Sequence, residues 1–249
     1  MKITDEVYLV GSGQAGFSMT DNWDCNVYLV HVDGELALID AGAGMGVSQI
    51  LDNIKSHGFD PAQIKYVFIT HCHADHGGGA VPIKDSVKGV FVLPEASAEA
   101  LRTANEHPLG LDVARADGVY PPDYFLKPFT PDMKVQTVKD GDTFTLGSAK
   151  ITAIHFPGHS VDSTCYLVKT KSKKYLFSGD TIYVQGVIGL LNCIGSELGP
   201  YRENVHKLAG LDVDCLMPGH YTFTFNNGQR HIDTVVENFK RLWPPKNLF

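Results

Sequence analysis

Short apolar runs rich in Val, Ile and Leu recur along the chain, each bounded by Gly, Asp or Pro. Val7–Val10, Val27–Val32 and Leu36–Ile39 are separated by Gly- and Asp-containing turns such as Asp33-Gly34. This pattern predicts a meander of strands whose last member ends at Asp40-Ala41-Gly42-Ala43-Gly44. Val47, Ile50, Leu51 and Ile54 then recur at i, i+3, i+4 and i+7, the period of an amphipathic helix. His57-Gly58 closes it, and Asp60-Pro61 turns toward a strand over Tyr66–Ile69. Val90–Leu93 reads as a buried strand and Pro94–His107 as a helix ended by Pro108. Pro108–Pro131 holds five prolines together with Tyr120, Tyr124, Phe125 and Phe129, and is the longest irregular stretch. A loop of this length reads as one wall of a substrate cleft, or equally as a structural excursion or oligomer contact.

From Asp140 onward the pattern is again that of strands: Phe144–Leu146, Ile151–His155, Thr164–Val168 and Tyr175–Phe177. A helical pattern follows near Tyr201–Leu208, then a short strand Cys215–Met217. A last helix carries Ile232, Val235, Val236, Phe239 and Leu242 on one face. Both halves run strands, helix, strand without a sequence repeat, and no linker or charge block divides them, so a single domain over 1–249 is expected.

Composition narrows the function classes. The chain is 43% apolar and 20% charged, which excludes a disordered protein. Its net charge is −7, and the longest basic run, Lys169–Lys174, reads as a solvated hairpin turn. No nucleic-acid partner is expected from that balance. The acidic start resembles a strand more than a signal peptide, and no apolar run approaches membrane-spanning length, so no membrane partner is expected. Five cysteines without paired spacing read as reduced thiols in a cytoplasmic protein.

The candidate chemistry lies at the ends of strands. Directly after Tyr66–Ile69 come Thr70-His71-Cys72-His73-Ala74-Asp75-His76-Gly77-Gly78, three histidines and an aspartate within six residues. Phe156-Pro157-Gly158-His159, Phe177-Ser178-Gly179-Asp180 and Met217-Pro218-Gly219-His220 repeat the arrangement, each placing a His or Asp beside a glycine just past an apolar strand. Imidazole and carboxylate suit zinc, iron or manganese. Any one of these histidines alone reads as a packed or surface residue; four such strand ends read as a metal site. Cys72, between two ligand positions on an extended segment, reads as packing.

In this set the chain resembles the metallo-β-lactamase-fold hydrolase superfamily. The likeness is carried by Asp40-Ala41-Gly42, the His-x-His-x-Asp-His cluster at 71–76, His159, Asp180 and His220, in that order. The resemblance implies an α/β (α+β) fold, a four-layer αββα sandwich of two mixed β-sheets flanked by helices. It further implies two divalent metal ions, zinc first with iron or manganese as alternatives. His71, His73 and His159 would bind one ion, Asp75, His76 and His220 the second, and Asp180 would bridge them. Asp75 would also orient a metal-bridging hydroxide, and Asp40 would support a ligand or cap its turn.

The resemblance also discriminates among branches. Asp180 stands where the family's β-lactamases usually carry Cys or Ser, and His73 where diiron flavoproteins carry Glu. Ser178-Gly179-Asp180-Thr181-Ile182-Tyr183 is similar to a run of the glyoxalase II-type thioesterases. Nine positions after Asp180, however, Gly189 stands where those enzymes place a basic residue. Tyr183 resembles the tyrosine that lactonases use to steady the substrate carbonyl; its other reading is a packed aromatic. Val187, Ile188, Leu190, Leu191 and Ile194 read as an apolar cleft wall or a buried homodimer surface, favouring a small-molecule substrate with an apolar part. The expectation is a dinuclear hydrolase of a thioester, lactone or ester; the alternatives are a mononuclear iron persulfide dioxygenase and a phosphodiesterase.

Overall fold

Six strands build one sheet in the order in which the chain supplies them. The computed structural model describes residues 1–248. It divides into two compact units, Met1–Val138 and Lys139–Phe249.

In the first unit, β1 (Val7–Gly11), β2 (Val27–Val32) and β3 (Glu35–Ile39) pair antiparallel, β1 to β2 across a long connection over 12–26 and β2 to β3 through the Asp33-Gly34 turn. The chain then crosses over through α1 (Val47–Ser56), as a parallel neighbour requires. β4 (Ile64–Phe68) therefore lies parallel to β3, with Ala37 opposite Tyr66 and Ile39 opposite Phe68. Val47, Ile50 and Ile54 of α1 join Leu29, Leu38 and Val67 in one core, as the helical period predicts. Two short helices follow, α2 (Ala74–Gly77) and α3 (Ala80–Ile83), and lead to β5 (Val90–Pro94), parallel to β4.

The next segment departs from expectation. The helix expected over Pro94–His107 is only α4 (Ala98–Thr103), because Ala104 turns left-handed at φ 55° and ends it. Pro108–Pro131 is not wholly irregular: it contains α5 (Leu111–Ala116), entered through Gly110 at φ 67°. β6 (Lys134–Val138) closes the sheet parallel to β5; exposed Lys134, Gln136 and Thr137 separate its two valines, so there is no apolar run to find.

The second unit begins with the antiparallel strands β7 (Thr143–Leu146), β8 (Ala149–His155), β9 (Thr164–Lys169) and β10 (Lys174–Gly179). The lysine-rich run between β9 and β10 is the hairpin turn expected of it. β11 (Ile182–Tyr183) and β12 (Val187–Ile188) form a small hairpin, followed by α6 (Leu198–Asn204). β13 (Cys215–Pro218) then pairs parallel to β10, making this five-stranded sheet mixed. Ile232, Val235, Val236 and Phe239 of α7 (Gly228–Lys240) pack with Leu176 and Leu216. Leu242 does not share that face: it lies past the helix at φ 61° and is 71% exposed. β14 (Lys246–Asn247) returns to flank β12.

None of the five cysteines forms a disulfide, and four are buried. Among the described residues, no helix is long and apolar enough to cross a membrane.

Candidate metal centre

Past β4 (Ile64–Phe68) the chain runs without regular structure, with bends at Thr70 and His73, to the start of α2. Cys72 is buried in the core, where Ser97 Oγ donates to its Sγ at 2.9 Å. His71 Nε2 and His73 Nδ1 stand 3.1 Å apart. α2 then places Asp75 and His76 side by side, with Asp75 Oδ2 3.4 Å from His76 Nε2.

The far nitrogens of His71 and His76 are already committed. Asp40, left-handed at φ 61°, lies 2.9 Å from His76 Nδ1 through its Oδ2. The same carboxylate accepts from Thr70 N at 2.7 Å and from Thr70 Oγ1 at 2.9 Å. A carboxylate only accepts, so His76 carries its proton on Nδ1 and leaves a lone pair on Nε2. Thr70 Oγ1, its own proton given to Asp40, is 3.1 Å from His71 Nδ1 and can accept from it. That frees Nε2 of His71 in the same way. Outer partners of this kind fix ring orientation in metal sites. Asp40 therefore supports a candidate ligand as well as shaping a turn; Thr70 is a member that sequence reasoning missed.

The loop carrying Asp40 is stitched to the histidine cluster. Ala41 N donates to His76 O at 2.9 Å and Gly79 N to Gly42 O at 2.8 Å. A Cβ at Gly79 would lie 1.9 Å from the Ala41 carbonyl oxygen, so no larger residue fits this approach. Asp24 Oδ1 accepts from Ala43 N at 2.8 Å, and burial pushes the Asp24 carboxyl above its ordinary pKa.

A second missed member comes from the proline-rich segment. Tyr120 Oη donates to Asp75 Oδ1 at 3.1 Å. Its ring stacks on Tyr124, 5.2 Å between centroids and 20° between planes, and Tyr124 Oη donates to Ala43 O at 2.7 Å. Burial raises both phenols above their usual pKa, so both stay protonated donors at neutral pH. The only sequence signal was aromatic density in Pro108–Pro131. Tyr124 also lines an open cleft of about 310 Å³ with Met45, Pro82, Phe125 and Lys127.

Three expected ligands lie in the second unit, and they gather there around one carboxylate. Asp180 Oδ2 is 3.6 Å from His159 Nε2 and 3.3 Å from His220 Nε2. The parallel pairing of β10 with β13 brings Asp180 and His220 together, with Gly219 N donating to Gly179 O at 2.8 Å. His159 Nδ1 donates to the Gly189 carbonyl oxygen at 2.6 Å, which leaves its Nε2 lone pair facing Asp180.

Gly189 is thus explained in its own right. A Cβ there would meet Asp180 O at 2.3 Å and His159 Nδ1 at 3.2 Å, so a basic side chain has no room at this position. Tyr183 is buried, its ring edge-on to Tyr221 at 6.3 Å. The apolar stretch after it divides: Ile188 is buried in the second unit's core, while Ile194 is 52% exposed.

The donors fit divalent metal. They are imidazole nitrogens and carboxylate oxygens, the set that suits zinc, iron and manganese. Facing acceptor atoms 3.1–3.6 Å apart require a proton or a cation between them. Within each unit, the histidines whose Nδ1 is engaged, His71 and His76 in the first and His159 in the second, present Nε2 as a candidate metal donor.

Comparison with known proteins agrees with this geometry. The atrochrysone carboxyl ACP thioesterase of Aspergillus fumigatus is 28% identical over 219 residues, which is 87% of this chain and 56% of that protein. Thioesterase pkgB of Emericella nidulans is 25% identical over 88% of this chain and 53% of its own length. The chain thus spans about half the length of these curated relatives. Among solved structures, BJP-1, a subclass B3 metallo-β-lactamase of Bradyrhizobium japonicum, superposes with a TM-score of 0.69 at 23% identity. That match covers 97% of this chain and 92% of the other, and is a likeness of fold. The family model described as metallo-beta-lactamase superfamily matches residues 20–220. The chain therefore has the metallo-β-lactamase fold, which implies divalent metal ions, and belongs to the metallo-β-lactamase superfamily.

Proposed function

We propose that the chain is a metal-dependent hydrolase of an ester-like carbonyl, with a thioester as the leading substrate and lactones and esters next. The observation that carries this is the Asp180 carboxylate oxygen set between His159 Nε2 and His220 Nε2 at 3.6 and 3.3 Å. A carboxylate so placed can serve two ions at once. On this reading the two units act as one catalytic domain over 1–249. His71, His73 and His159 would hold one ion, Asp75, His76 and His220 the other, and Asp180 would be shared. Zinc is the first choice of metal. The thioesterase names of the curated relatives support the substrate class.

When bound, the two ions supply a water acidic enough to react near neutral pH and a Lewis acid for the carbonyl. The chain's own residues do the rest. Asp75 orients the attacking water, takes its proton and returns it to the leaving thiolate or alkoxide. Tyr183 donates its phenol hydrogen to the oxygen on which charge develops. His159 and His76, each held through Nδ1, keep their rings from turning as that charge moves. Buried thiols outside any disulfide suit the reducing cytoplasm, and exposed Ile194 offers a contact for a homodimer.

Elemental analysis paired with a panel of thioesters, lactones and phosphodiesters tests the reading. Two zinc ions per chain with thioester turnover are expected, and Asp75→Asn should abolish turnover while leaving the fold intact. One iron per chain with oxygen consumption, or turnover confined to a phosphodiester, overturns it.

A further inference from the structure

We infer that Tyr120 is a positioning residue for Asp75, holding one carboxylate oxygen so that the other is presented to metal. The inference rests on the two-metal reading above. Asp75 sits at the start of a four-residue helix, and its terminal torsion is of the broad, twofold kind that settles in no single well. Left alone, such a carboxylate exchanges its oxygens or binds through both. Here the two oxygens have different neighbours: Oδ2 lies 3.4 Å from His76 Nε2, while Oδ1 accepts from Tyr120 Oη at 3.1 Å. One oxygen is engaged by the phenol and one is aimed at the donor pair.

The phenol can do this because its own position is fixed from three directions. Its ring lies nearly parallel on Tyr124. Tyr124 is tied through its hydroxyl to Ala43 O, in the loop that Asp40 opens. Trp23 Nε1 donates to Val119 O at 2.6 Å and pins the residue just before Tyr120. Tyr120 and Asp75 are 45 residues apart in sequence, so this arrangement spans the first unit rather than arising within one turn. The segment from which Tyr120 projects is therefore part of the metal-site scaffold.

The test is Tyr120→Phe, which keeps the stacked ring and removes only the hydroxyl. Chelator-stripped protein is titrated with Co²⁺ and followed by visible absorption, alongside thioester turnover. The ion held by Asp75 should bind ~10- to 100-fold more weakly in the variant, the range for lost outer-shell partners. kcat should fall with little change in KM, and the melting temperature of the stripped protein should be unchanged. Tyr124→Phe is the second variant: it removes one anchor of the segment but keeps the Tyr120–Asp75 hydrogen bond, so its Co²⁺ affinity should fall by less than that of Tyr120→Phe.

Identical Co²⁺ titrations for wild type and Tyr120→Phe overturn the inference. So does an equal weakening in Tyr124→Phe, which would make general loosening the cause. The number of ions bound by wild type tests the two-metal reading separately. The difference between wild type and Tyr120→Phe is read whatever that number is.

Discussion

His159 points its Nδ1 at the carbonyl oxygen of Gly189, 2.6 Å away, and that backbone atom sets which of its nitrogens faces Asp180. The contact depends on the absence of a side chain at 189, because a Cβ would lie 2.3 Å from the Asp180 carbonyl. Gly189→Ala should therefore push two ligand-bearing segments apart. A loss of about 1–3 kcal/mol is expected, as for overpacked buried sites. Metal content should fall together with the urea midpoint, and a variant that binds metal normally would count against this account.

Asp40 combines a left-handed backbone with a carboxylate that satisfies Thr70 and His76. Asp40→Ala loses both, stranding buried donors, and should cost about 3–5 kcal/mol in chemical denaturation. Asp40→Asn tolerates the same φ and still accepts a hydrogen bond. Its fold should persist while metal affinity drops ~10- to 100-fold. Equal stabilities for the two variants would refute the distinction.

Metal removal should be legible in stability. The Asp180 carboxylate oxygen lies 3.6 Å from the His159 Nε2 lone pair, and the two repel once no cation lies between them. At a metal concentration ~100 times the dissociation constant, binding adds about 2.7 kcal/mol. For a chain of this size that corresponds to a melting temperature roughly 5–10 °C higher than in chelator. Superimposable melting curves with and without Zn²⁺ would contradict the site.

Asp24 gives a pH dependence with a definite sign. Burial is the largest cause of its raised pKa, outweighing the hydrogen bond from Ala43 N. The folded state thus holds this proton more tightly than the unfolded chain does. The stability it contributes is complete below the unfolded value of about 3.9 and is lost as pH rises through the folded value. Asp24→Asn keeps an oxygen for Ala43 N and removes the buried charge. Its urea midpoint should exceed that of wild type at neutral pH, with the gap closing as pH falls below the carboxylate range. A gap that is constant with pH would exclude Asp24 as its source.

Much of the architecture was readable because burial and residue type agreed. β1 and β2 are buried almost throughout and rich in Val and Leu, so their apolar runs stand out. β6 was invisible because its residues are largely exposed and its two valines, Val135 and Val138, form no apolar run. α4 is shorter than expected since a single left-handed alanine ended it, a choice of φ that no periodicity reports. The candidate ligands were readable because His and Asp at strand ends have few structural reasons to recur. Tyr120 was not, since a tyrosine among prolines reads first as packing and its partner is far along the chain. Gly189 was weighed for the side chain it lacks, whereas its role lies in its carbonyl.

The parallel pairing of β10 with β13 also bears on when the site comes into being. Phe177 lies opposite Met217, and the hairpin β11–β12 and helix α6 come between them. Such a pair cannot zip from a turn; a long loop must close first, which places it late in folding. Asp180 and His220 then meet only once most of the second unit is formed. Bound metal should consequently slow unfolding and leave the refolding rate almost unchanged, as for any contact absent from the transition state. It governs how long the folded molecule lasts, not how quickly it is reached.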